Sequence, residues 1–207
     1  MSRKTVMEER IDYYIMSFDL KPSQALELTK LWLEEYKEKR YPNPEDVPTM
    51  TPEEILKQKQ EMRRLFLKLM RKDIKEHKDE QAVFIYKSVR APWLWGKISI
   101  LLDKVADFGD KGPLYKKILW KAYFDKNPMT DEQLAKYLHI SDDVLKYRKR
   151  EAIKRFAYEI WDYAYRREHE DIIAGIVEKE EDEENHPRRR ETDIIKKDDD
   201  ENKMFPD

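Results

Sequence analysis

Glycine is scarce in this chain: there are four in 207 residues, and the first of them is Gly96. Tight β-hairpin turns need positive φ, which glycine adopts at the least steric cost. So few glycines cannot turn the corners of an all-β fold, and none forms the phosphate-binding loop of a dinucleotide-binding α/β fold. The sequence therefore predicts an all-α protein. Cysteine is absent, which excludes a disulfide framework, a thiolate nucleophile and a cysteine-held zinc. No uncharged apolar run approaches the roughly 18 residues of a membrane span, and residues 1–19 lack the apolar centre of a signal peptide. A cytoplasmic protein without membrane contact is the expectation.

Apolar residues recur at helical spacing along most of the chain. Val6, Ile11, Tyr14, Ile15 and Phe18 predict one helix face, and Pro22 or Ser23 opens a second helix carrying Ala25, Leu28, Trp32, Leu33 and Tyr36. Pro42, Pro44 and Pro48 force a loop. Thr51 and Glu54 then form a capping box before a long helix with Ile55, Met62, Phe66, Leu69, Met70 and Ile74 inward. Its bases Arg63, Arg64, Lys68, Arg71 and Lys72 read as a solvated face. A further helix runs from Pro92 through Val105. Trp93 and Trp95 within it read as core fillers. Gly109, Gly112 and Pro113 predict a domain junction, separating an N-terminal helical module (1–110) from a second domain (111–170).

The net charge of -2 hides an asymmetry. Residues 178–207 carry 13 acids and 7 bases, and the remainder 31 acids and 35 bases. Such a tail has too few apolar residues to offset chain entropy, and disorder is predicted for it. Its acidic run from Glu178 to Glu184 could fold back on a basic helix.

The second domain is the most informative part. Thr130-Asp131-Glu132-Gln133 is a second capping box, opening a short helix with Leu134, Ala135 and Leu138 inward. His139 and Ile140 follow, and Ser141 caps a long helix from Asp142, with Leu145, Ala152, Ile153, Phe156, Ala157 and Ile160 inward. Two such helices with a small residue at their crossing predict a helix-turn-helix, whose second helix enters the major groove of double-stranded DNA. Between Val144 and Ala157 that helix has six bases, Lys146, Arg148, Lys149, Arg150, Lys154 and Arg155, against Glu151 alone. Phosphate neutralisation needs such a face. With the apolar residues buried, Lys146, Tyr147 and Arg150 are the predicted base contacts, and Lys136, Lys149, Lys154 and Arg155 the predicted backbone contacts.

The stretch from Thr130 to Ser141 followed by Tyr147 to Ala157, within about Tyr115 to Trp161, resembles the C-terminal module of the ArpU and RinA phage transcriptional regulators, itself similar to the promoter-binding last region of bacterial sigma factors. His139 stands where a glycine is common in that turn. The resemblance implies a sequence-specific transcriptional regulator of bacterial or phage origin, with DNA contact on the Lys146–Lys154 face. The first 110 residues would dimerise or contact RNA polymerase. Nothing points to an enzyme: His77, His139, His169 and His186 lack metal-ligand spacing, and there is no nucleophile elbow. Neither a metal nor a cofactor is implied. The competing reading is a helical protein-interaction protein, an adaptor or an inhibitor of a host protein, with no DNA binding.

Overall fold

Side-chain caps at Thr5, Thr51, Thr130 and Ser141 each start a helix. The computed structural model describes residues 4–39, 49–73 and 76–177, which form eight α-helices and no strand among the described residues. Thr5 caps α1 (Val6–Met16), its side chain accepting from the Glu8 amide. Proline at the first position opens α2 (Pro22–Lys39), where its missing N–H has no helical partner to lose. The predicted capping box opens α3 (Pro52–Arg71): Glu54 N donates to Thr51 Oγ1 at 3.2 Å and Thr51 N to a Glu54 carboxylate oxygen at 2.8 Å. Then come α4 (Lys78–Val89), α5 (Leu94–Ala106), α6 (Gly112–Leu119), α7 (Asp131–Leu138) and α8 (Asp142–Ile173).

One wide turn has no signal in the sequence. From Trp120 to Phe124, α6 continues as a π-helix, ending with Asp125 N donating to Trp120 O at 2.8 Å. The extra residue per turn lets Ala122, Tyr123 and Phe124 all face the interior, at 1% exposure or less. Phe124 then sits 5.7 Å from the Tyr36 ring and 5.8 Å from Phe156.

These rings belong to a core built around α8. Trp32 of α2 stacks on Phe156, with centroids 6.0 Å apart and planes 14° apart, and also meets Phe84 of α4. Along α8, Glu151, Ala152, Ile153, Lys154, Phe156 and Ala157 are all buried. A helix buried around its circumference is a core helix, not an amphipathic surface one. The sequence reading assumes the second kind, and this is where it departs from the structure. Smaller departures follow the same logic: Val6, at the first turn of α1, is 72% exposed while Ile11 and Ile15 are buried, and Ile160 is half-buried. Ile74 lies outside the described residues.

Gly109–Pro113, the predicted junction, forms a corner between two helices. The described residues up to His169 form one compact unit, and α5 reverses into α6 through a tight corner inside it. Gly109 holds φ at 52°. A Cβ on Gly112 would lie 2.3 Å from the Ala106 carbonyl oxygen, so the two helices meet too closely there for any side chain. The other unit begins at Glu170; its described part is the end of α8 and a turn at Gly175, where φ is 68°. The acidic tail and its predicted fold-back fall at 178–207, outside the described residues. No helix among the described residues is long and apolar enough to cross a membrane.

Candidate nucleic-acid interface

The corner between α7 and α8 is made by local chemistry that the sequence predicts well. Thr130 N donates to Gln133 Oε1 at 2.9 Å and Gln133 N to Thr130 Oγ1 at 3.3 Å, completing the second capping box. At the other end, His139 adopts the left-handed conformation, with φ at 55°. Ile140 N donates to Ala135 O at 3.1 Å, and His139 N to Lys136 O at 3.2 Å. This pair of bonds is a Schellman closure of α7, which requires a left-handed residue at the position His139 occupies. Ser141 then accepts from the Val144 amide at 3.3 Å and starts α8. Leu134, Ala135 and Leu145 are buried beneath the corner, whereas Ser141, Asp142, Asp143, Val144 and Lys146 are exposed.

The predicted contact residues divide into an open group and an engaged one. Lys146 is exposed. Tyr147 is half-buried, with the Arg150 guanidinium 5.5 Å from its ring centroid. Lys136 is 76% exposed on its side chain and donates along α7 to Glu132 at 2.7 Å. Lys149 reaches Asp131 at 2.7 Å and lies 5.1 Å from the Tyr123 ring centroid. These four remain around the open corner.

Lys154 and Arg155 do not: Lys154, read from the sequence as near the open side, is buried, and Arg155 is largely enclosed. Lys154 is 3% exposed; its Nζ donates to Glu8 at 2.7 Å and to Asp12 at 2.6 Å, both on α1. Arg155 pairs with Glu159 and is enclosed by rings, 4.0 Å from the Phe108 centroid and 4.6 Å from Tyr158. Arg150 is intermediate: its guanidinium donates to Glu8 and its side chain is 27% exposed. For Lys154 and Arg150 the physical reason is α1, whose Glu8 and Asp12 supply carboxylates to cations that would otherwise lack partners; for Arg155 it is Glu159, one turn along α8.

A second polar node ties three helices together. Glu151, fully buried, accepts from the Tyr115 hydroxyl at 2.9 Å, from Arg148 at 2.7 Å and from the Thr5 hydroxyl. Burial, and then the neighbouring Glu151 charge, push the Tyr115 phenol far up and keep it protonated. Burial likewise raises Tyr123. The sequence reading passes over these acids although one signal is present: Glu8 and Asp12 are four apart, in register with Ile11 and Ile15 on the buried stripe of α1.

Basic residues of α3 are engaged too. Arg63 and Arg64 both donate to Glu168, at 2.5 and 2.7 Å, and Lys68 to Glu80 at 2.6 Å. Trp93 is half-buried and donates to Gln58 at 2.7 Å. Trp95 is 41% exposed, with its ring 5.7 Å from Trp120; it is not the core filler the sequence suggests.

No protein-family model matches this chain, and no curated protein or solved structure matches it either.

Proposed function

We propose that α7 and α8 form a DNA-binding helix-turn-helix and that the protein is a sequence-specific transcriptional regulator. One observation carries the reading: a short capped helix, a left-handed corner and an uncovered first turn of α8 leave Ser141, Asp142, Asp143, Val144 and Lys146 open. A recognition helix must present that end to base edges. Lys146 and Tyr147 are the base contacts of this reading. Lys136 and Lys149 are the backbone contacts, and Arg150, held by Glu8, positions Tyr147. Lys154 and Arg155 hold the fold. Asp142 and Asp143 favour the helix N-terminus through its dipole, and a carboxylate there can accept from a cytosine amino group. In the same reading the N-terminal helices dimerise or contact RNA polymerase.

Selection of bound duplexes from a random-sequence pool tests this. Recovery of a defined sequence, relaxed at one or two positions by Lys146→Ala or Tyr147→Ala, supports it. A pool that stays unenriched defeats it.

A protein-interaction role without DNA binding is favoured by one feature, the acidity of the corner. Asp131, Glu132, Asp142 and Asp143 are all exposed, and phosphates would repel them. Salt separates the two readings, because neutralising several phosphates makes affinity fall steeply with ionic strength.

A further inference from the structure

The cations of α8 are largely spent on carboxylates; α6 and the π turn after it add a second lysine-rich stretch. Residues 111–126 contain Lys111, Lys116, Lys117, Lys121 and Lys126 against one acid, Asp125. Two of these lysines converge on one exposed ring of α7. Tyr137 is 45% exposed, with Lys117 Nζ 5.9 Å and Lys121 Nζ 5.6 Å from its centroid. Lys116 is taken by Asp103 at 2.5 Å and Lys121 also reaches Asp125 at 2.6 Å. Lys117 is exposed and lies over the Tyr137 ring. Two ammonium groups four residues apart on one helix repel each other; Asp125 offsets the charge of Lys121, and the ring face that of Lys117 only in part.

We infer that Lys117, Lys121 and Tyr137 form a phosphate-binding edge that holds the sugar-phosphate backbone of the duplex beside the α8 contact. The ligand is a phosphodiester: an anion between the two ammonium groups removes their repulsion, and the phenol can donate to a phosphate oxygen or pack on the sugar. This inference rests on the DNA-binding reading and adds to it a contact strip from a helix outside the helix-turn-helix.

The test is the salt dependence of duplex binding by the full chain, compared between wild type, Lys117→Ala, Tyr137→Ala and Lys97→Ala. Lys97 is the control: its Nζ lies over a different ring, 5.4 Å from Tyr163, so its removal takes away the same charge elsewhere. All three substitutions remove side chains that are at least partly exposed, and thermal melts verify that each variant is folded. The slope of log affinity against log salt is expected to become shallower by about one in Lys117→Ala, with a smaller loss of affinity in Tyr137→Ala and no change of slope in Lys97→Ala. Equal effects of Lys117→Ala and Lys97→Ala overturn the edge and leave the DNA reading standing. Wild type that fails to bind duplex at low salt overturns both. Equal loss of slope against heparin and against DNA assigns the edge to polyanions in general and overturns its duplex-specific form.

Discussion

Lys154 of α8 and Glu8 of α1, 146 positions apart in the chain, are joined by a 2.7 Å charge-assisted hydrogen bond in which both side chains are under 5% exposed. With Asp12 completing the triad, the bond fixes the first helix against the central one. Removing the buried cation leaves Glu8 with Arg150 and Asp12 with the more exposed Lys4, at a cost of up to about 3–5 kcal/mol, the figure for breaking a buried pair. Lys154→Ala is therefore predicted to lower the urea unfolding free energy by about that much, and Lys154→Met with Glu8→Leu and Asp12→Leu to recover most of it. A loss below about 1 kcal/mol for the single change would place the triad among weak surface pairs.

Gly112 tests the continuity of the fold. A linker between domains would accept alanine there, whereas the packed corner cannot, because the new methyl would lie 2.3 Å from the Ala106 oxygen. Gly112→Ala is predicted to cost about 1–3 kcal/mol by overpacking, seen as a lowered Tm in a single cooperative transition. An unchanged melt restores the sequence-based junction.

Thr130 starts the helix that positions the corner. Thr130→Ala removes the hydroxyl that accepts from the Gln133 amide, for about 1 kcal/mol. The eight-residue α7 is too short to be stable alone. Faster amide exchange confined to α7 is the expected result; exchange that accelerates equally across the core contradicts it.

Glu159 gives the fold a pH dependence above the usual carboxylate range. Burial raises its carboxyl more than the adjacent Arg155 lowers it. Its folded-state pKa therefore exceeds the unfolded one, the native state holds the extra proton between the two, and stability falls as pH rises through that window before levelling off. Glu61 and Asp125 have the opposite sign. They are held below the usual range chiefly by hydrogen bonds from Lys87 and Lys121, and their contribution is lost as pH falls through the lowered values. The urea midpoint of Glu159→Gln is predicted to gain on wild type as pH rises from about 4 to 7; a constant difference contradicts the assignment.

What the sequence reveals here depends on distance along the chain. Thr51 with Glu54 and Thr130 with Gln133 are legible because a capping box is closed by residues three apart. The proline starts and the corner at Ser141 are legible for the same reason, and the burial of Trp32, Tyr36 and Phe156 is legible from helical periodicity. The engagement of Lys154 is not, since its partners lie on α1 and only the assembled fold brings them together. The periodicity of α8 marks Leu145, Ala152, Ile153 and Phe156 as buried, yet it says nothing about a second helix covering the opposite side. The π turn at Trp120–Phe124 has no local sequence rule at all. Six bases on one helix thus become one exposed lysine, Lys146, three half-buried bases, Arg148, Lys149 and Arg150, and two committed to the core, Lys154 and Arg155.

The central claim, DNA binding through the α7–α8 corner, is tested most directly by the affinity of the full chain for a duplex as salt rises from about 50 to 200 mM. Contacts from Lys136, Lys146, Lys149 and Lys117 predict a linear fall of log affinity with log salt, with a slope of about −3 to −4. Absence of binding at about 50 mM salt, or an affinity indifferent to salt, contradicts it.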